Sequence, residues 1–166
     1  MDAQGIISLL QLEPLPEEGG FYRETFRDSG QIPRRDLPNH PGDRAFSTCI
    51  YYLITSEAFS GLHAVRSTEV FHFYAGDAVR MIQIDAAGRL VEVQIGSDLP
   101  SGQRPQVVVP AGTWQGSKVA PGGSWALLGC QVSPGFELDD FRGGRRQELI
   151  ARFPQHTDLI REYTHR

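Results

Sequence analysis

The chain has 166 residues, 40% of them hydrophobic and 22% charged. That is enough apolar content to bury a core, and too much for a disordered tail. The length suits one domain, 1–166, on a scale of roughly 100–200 residues per domain. No apolar run approaches the ~18 residues of a membrane span, so a membrane is excluded as a partner. Met1-Asp2-Ala3-Gln4 lacks the basic start of a secretory leader, which points to the cytoplasm. The formal net charge is -4 and the basic residues are scattered, which excludes nucleic acid as a partner.

In chain order, Asp2 predicts an N-cap for a helix with one apolar stripe of Ile6, Ile7, Leu9 and Leu10, ended by Pro14 and Pro16. After Gly20 the pattern changes to short β-branched and aromatic runs broken by Gly, Pro, Asp and Ser. Strands are predicted over 21–27, 46–55, 61–66, 69–75, 78–85, 90–96, 106–110, 112–118 and 124–132, with 28–44 a polar, Pro-rich loop. Asp85-Ala86-Ala87-Gly88 reads as a hairpin turn with Gly88 at the positive-φ position. Many short strands at even spacing predict an all-β sandwich or barrel. Helical spacing returns over 145–153 and 157–163, predicting helices on the outside of the sheets. Cys49 and Cys130 lie in apolar strand-like runs without CxxC spacing. Reduced, buried thiols are expected, again in keeping with the cytoplasm.

Ligating and titrating side chains are sparse in the central strands and fall into two clusters. The first runs from Gly61 to Asp77. Strand alternation puts His63 and Val65 on one face, and Glu69, Phe71 and Phe73 on one face of the next strand, with His72 opposite. His63 and Glu69 are expected to meet across a hairpin in an apolar lining. Such a pair can do acid–base work, supply two metal ligands, or satisfy itself as a core pair. The second cluster ends in Pro110-Ala111-Gly112-Thr113-Trp114-Gln115. Gly112 permits a sharp turn. Gln115 can hydrogen-bond a ligand and Trp114 can stack on one; equally, both can be structural.

In order and separation these clusters resemble the two motifs of the cupin superfamily. The first motif, His-x-His, Glu, then six residues and Gly, is met by His63, Glu69 and Gly76. The second, Pro-x-Gly, two residues, His, is met by Pro110 and Gly112 but ends in Gln115. Further likeness to the cupin-5 branch runs through 12–27, 47–54, 69–77, 102–115 and 127–141. The resemblance implies a cupin double-stranded β-helix, a jelly-roll barrel with short N- and C-terminal helices, and a homodimer. It implies metal ligands at two His, a Glu and a further His. Val65 and Gln115 occupy two of the His positions, so no cofactor is expected. The alternative is a weakly bound divalent metal at His63, Glu69 and Gln115. Gly61-Leu62-His63 is also similar to metal-free sugar-nucleotide epimerases, which implies His63 as base and Tyr52 or Tyr51 as acid.

The leading expectation is a small molecule bound inside the barrel by His63, Glu69, Phe71, Phe73, Trp114 and Gln115, such as a nucleobase, nucleotide or sugar nucleotide. The alternative is a metal-free epimerase or isomerase, or a weakly metal-dependent enzyme. Ser133-Pro134-Gly135-Phe136 and Phe141 are expected at an exposed apolar surface for self-association.

Overall fold

Period-two alternation through the middle of the chain folds into two antiparallel sheets in the computed structural model, which describes residues 1–165. Arg166, the last residue of the expected domain, lies outside them. The strands are β1 (Glu13–Pro14), β2 (Phe21–Arg27), β3 (Gln31–Ile32), β4 (Arg44–Ala45), β5 (Thr48–Thr55), β6 (Ser60–Val65), β7 (Thr68–Gly76), β8 (Val79–Ile84), β9 (Leu90–Ile95), β10 (Gln106–Val109), β11 (Trp114–Val119), β12 (Trp125–Ser133) and β13 (Phe141–Gly143). Helices α1 (Ala3–Leu10), α2 (Arg146–Arg152) and α3 (Thr157–Glu162) flank them. The sheet orders are β1-β2-β5-β12-β7-β10 and β13-β6-β11-β8-β9, with β3-β4 a separate ribbon. This is a jelly roll with short terminal helices.

The expected strands are present with slightly shifted ends. Missing from the expectation were β1, β3, β4 and β13, which are too short to show any alternation. The β8–β9 hairpin turns as expected. Gly88 has φ 81°, and Asp85 Oδ1 accepts from the amides of Ala87 and Arg89. Asp2 caps α1 by accepting from the Gly5 amide at 2.9 Å. Of the predicted stripe, however, only Ile6 is buried and Leu9 is 68% exposed.

Three apolar clusters follow from strand parity. Between the sheets lie Tyr52, Ile54, Val65, Phe71, Met81, Ile95 and Leu128, drawn from both. Outside the five-stranded sheet, α2 and α3 bury Trp114 with Leu62, Ile82, Ile84 and Tyr163. Outside the six-stranded sheet, α1 covers Leu53 with Ile6 and Leu12. One expectation is corrected: β6 and β7 do not form a hairpin. The chain crosses between sheets at Arg66-Ser67, because β6 pairs with β11 and β13 while β7 pairs with β10 and β12. His63 and Glu69 therefore face one another across the interior instead of along one sheet.

Candidate functional site within the barrel

The mouth of the barrel is shaped by the loop Leu15–Gly20. Gly19 and Gly20 both have positive φ, 96° and 75°. A Cβ on Gly19 would stand 2.3 Å from the Phe59 carbonyl oxygen, and one on Gly20 2.8 Å from that of Leu53. Glycine is therefore needed for both backbone conformation and close approach. The Glu18 carbonyl accepts from the Gly61 amide at 2.7 Å and from His165 Nε2 at 2.8 Å. These contacts aim the Glu18 side chain inward, where Oε1 accepts from the Ser60 hydroxyl at 3.0 Å.

His63 is buried on β6. Its Nδ1 lies 2.8 Å from the Gly61 carbonyl oxygen, and its Nε2 2.8 Å from the Gln115 amide nitrogen. A carbonyl can only accept and an amide NH2 can only donate, so Nδ1 carries the proton and Nε2 offers its lone pair. Gln115, directly opposite on β11, donates its other hydrogen to Glu69 Oε2 at 3.3 Å. Cys130 Sγ lies 3.8 Å from Glu69 Oε1. Glu18 Oε2 stands 3.6 Å from His63 Nε2, and the Phe141 ring stacks on the imidazole at 5.3 Å.

Beside this group lies a cavity of about 530 Å³. Its wall includes Glu18, Glu69, Tyr22, Tyr52, Phe71, Phe136 and Phe141, with Ile50, Val65, Cys130 and Val132. Among the described residues no Lys, Arg or His lines it. Burial pushes the Glu69 carboxyl up to about 7; His63 opposes this, Glu18 adds to it, and the Gln115 and Cys130 donors oppose it. Burial, then Glu18, holds the Tyr52 phenol well above its ordinary range, and its hydroxyl donates to the Gly19 carbonyl at 2.9 Å. Burial, then Glu69, also raises the Cys130 thiol, which argues against a thiolate nucleophile.

The structure thus brings together His63, Glu69, Gln115, Phe71 and Tyr52, though His63 and Gln115 stand behind the wall and are not part of it. Tyr51 is on the outer face, packed edge-on to Tyr74 at 6.2 Å, which leaves Tyr52 as the inward tyrosine. Trp114 is not a cavity residue: with Gln115 pointing in, parity sends Trp114 out beneath α2 and α3, where Arg142 lies 4.3 Å over its ring. Phe73 packs against the inner core without reaching the cavity. Phe136 and Phe141, expected at an exposed apolar surface, are half-buried and line the cavity. Glu18 was missed by sequence reasoning; the one available signal was Glu17-Glu18-Gly19-Gly20, two acids before two consecutive glycines.

The donor set does not fit a tightly held transition metal. Val65 offers no donor atom, and the Gln115 amide already occupies the His63 lone pair and one Glu69 oxygen. The same contacts oppose a weak site at His63, Glu69 and Gln115. Among the described residues no three His, Cys, Asp or Glu side chains converge as metal ligands.

Comparison with known proteins gives the same fold. The chain is 27% identical over 133 residues to the uncharacterized protein YML079W of Saccharomyces cerevisiae, covering 74% of this chain and 66% of the yeast protein, just under two thirds of its length. Protein SO0799 from Shewanella oneidensis superposes with a TM-score of 0.89 at 33% identity, over 99% of this chain and 98% of that one. A hypothetical protein from Leishmania major gives 0.90 at 31%, over 100% of each chain. Oxalate decarboxylase of Bacillus subtilis matches at 0.55 and 16% identity, over 93% of this chain and 38% of that one, a likeness of fold alone. The family model described as Cupin superfamily (DUF985) matches residues 4–143. This match, with the jelly roll and the two motifs found facing its interior, makes the chain a member of that family of the cupin superfamily.

Proposed function

We propose that the protein binds a small molecule inside its barrel, one without phosphate and rich in hydrogen-bond donors. The observation that carries this reading is the wall of the 530 Å³ cavity: the acceptors Glu18 and Glu69, several aromatic rings and, among the described residues, no basic side chain. The volume and apolar lining suit a compact ring. Carboxyl oxygens accept hydrogen bonds, and negative charge on them repels phosphate. A nucleobase is therefore favoured over a nucleotide or sugar nucleotide. Thermal-shift titration with nucleobases, nucleosides and their monophosphates tests it, since a ligand specific to the folded state raises the unfolding temperature. Stabilisation by bases or nucleosides is expected. Stabilisation by the monophosphates alone, or by none of the panel, would overturn it.

A second reading, metal-free proton transfer as in an isomerase, is favoured by Glu69. It faces the cavity with a carboxyl held at about 7, close to the operating pH of a general acid–base. On this reading Glu69 moves the proton, and His63, engaged by Gln115, positions it. Glu69→Gln then abolishes turnover while keeping the ligand; retained turnover excludes the reading.

We also propose a homodimer, through the outer face of the six-stranded sheet. Tyr74 and Val108 are about half exposed there, and α1 covers only the Leu53 end. A monomer at micromolar concentration in light scattering would exclude it. The free thiols of Cys49 and Cys130 support a reducing, cytoplasmic setting.

A further inference from the structure

Resting on the reading that the barrel binds a small molecule, we propose that its ligand is a compact organic cation, an ammonium or amidinium group, seated between Glu18 and Glu69 against the aromatic wall.

The charge balance of the cavity motivates this. Glu24 also lines the cavity, but Arg27 already pairs with both of its oxygens, at 3.0 and 2.8 Å. Glu17 is exposed at the rim. The two interior carboxylates have no such partner. Glu18, its side chain 13% exposed, receives one neutral hydroxyl bond from Ser60. Glu69 receives an amide and a thiol. The nearest imidazole, His63, has Nε2 3.6 Å from Glu18 Oε2, but that nitrogen accepts from the Gln115 amide and Nδ1–H donates to Gly61, which leaves the ring neutral. Among the described residues no Lys, Arg or His lines the cavity. Buried carboxylates are costly unless paired with a cation.

The rest of the wall selects an organic cation over an inorganic one. Calcium or magnesium asks for about six or more oxygen ligands, whereas much of this wall is apolar, including Ile50, Val65, Phe71, Val132, Phe136 and Phe141. Aromatic faces attract an ammonium or guanidinium-like group and add hydrophobic contact. Charge-assisted N–H bonds to the two carboxylates fix its position.

Three probes of nearly equal shape separate the charge classes: benzylammonium, benzyl alcohol and benzoate, titrated into the full chain and followed by protein NMR shifts. At pH 8 benzylammonium should bind about tenfold or more tightly than benzyl alcohol, and benzoate more weakly than either. Glu69 is faced by His63 from β6, Gln115 from β11, Cys130 from β12 and Glu18 from the mouth loop. As it ionises between pH 6 and 8, the ammonium probe, protonated throughout, should tighten while the alcohol does not. Glu69→Gln and Glu18→Gln should each remove most of the preference for the cation and leave the alcohol's affinity in place. Benzyl alcohol binding as tightly as benzylammonium, or a preference untouched by both variants, overturns the cationic ligand and leaves the cavity reading standing. Failure of all three probes to bind overturns both.

Discussion

The amide nitrogen of Gln115 lies 2.8 Å from Nε2 of His63 and fills the one lone pair that imidazole has to offer. Its second hydrogen goes to Glu69. A single amide thus links two groups that the likeness to the cupin motifs would assign to one ion. Replacing Gln115 by Met keeps the volume and removes both bonds. Leaving buried acceptors unsatisfied costs about 1–3 kcal/mol, so urea denaturation should show a loss of that order. The Glu69 carboxyl should also titrate higher than in the unaltered protein, because a donor that favours its charged form is gone. An unchanged titration, read by carbon NMR of the carboxyl, would refute the bridge.

Two substitutions should turn the amide link into a metal site. Val65 faces the interior two residues beyond His63 on β6, and Gln115 faces it from β11. The double variant Val65→His, Gln115→His offers three imidazoles and the Glu69 carboxylate. It should bind cobalt(II) or manganese(II) stoichiometrically by calorimetry, whereas neither single variant should. Equal binding by the unaltered chain would contradict the reading of Gln115 as an obstacle to metal.

The buried carboxyl makes stability depend on pH in a specific direction. Glu69 titrates at about 7 in the folded chain against 4.5 for a free side chain. Between those values the folded state holds the proton that the unfolded state has lost. Stability is therefore highest below the unfolded value and falls as pH rises towards 7. At about 1.4 kcal/mol per pKa unit, the full penalty above neutrality is on the order of 3 kcal/mol. Glu69→Gln should remove it, making the variant more stable than the parent at pH 8 relative to pH 4. A difference that does not change with pH would contradict the burial argument.

Gly19 and Gly112 share a left-handed backbone but not the same surroundings. At Gly112, φ is 75° and nothing lies within 4 Å of a Cβ. Gly112→Ala should cost only the conformational strain, about 1–2 kcal/mol. Gly19→Ala adds the clash with the Phe59 carbonyl and should cost more. It should also weaken cavity ligands, because Glu18 is carried on the same loop. Equal losses in the two variants, measured by chemical denaturation, would show that the close approach does not matter.

Much of this site was legible in the order of residues. His63 and Glu69 were expected to meet because alternation along each strand fixes which side chains share a face, while Gln115 joined them through the resemblance to the second cupin motif. The same rule, applied strictly, excludes Trp114 once Gln115 points inward. What alternation cannot supply is the partner of each strand: β6 and β7 adjoin in sequence yet belong to opposite sheets. Glu18 was illegible for another reason. It sits on a loop, and its direction depends on two glycine conformations and on bonds to Gly61 and His165, far away in the chain.

The placement of Trp114 has a practical consequence for spectroscopy. Trp125, the chain's other indole, packs outside as well, with the cluster under α1. Neither fluorophore touches the barrel interior, so an occupant there would leave the intrinsic emission nearly unchanged. The chromophores that would sense it are the phenols of Tyr22 and Tyr52. Ultraviolet difference absorbance near the phenol band is accordingly the optical signal to follow, and a flat fluorescence titration says nothing against occupancy.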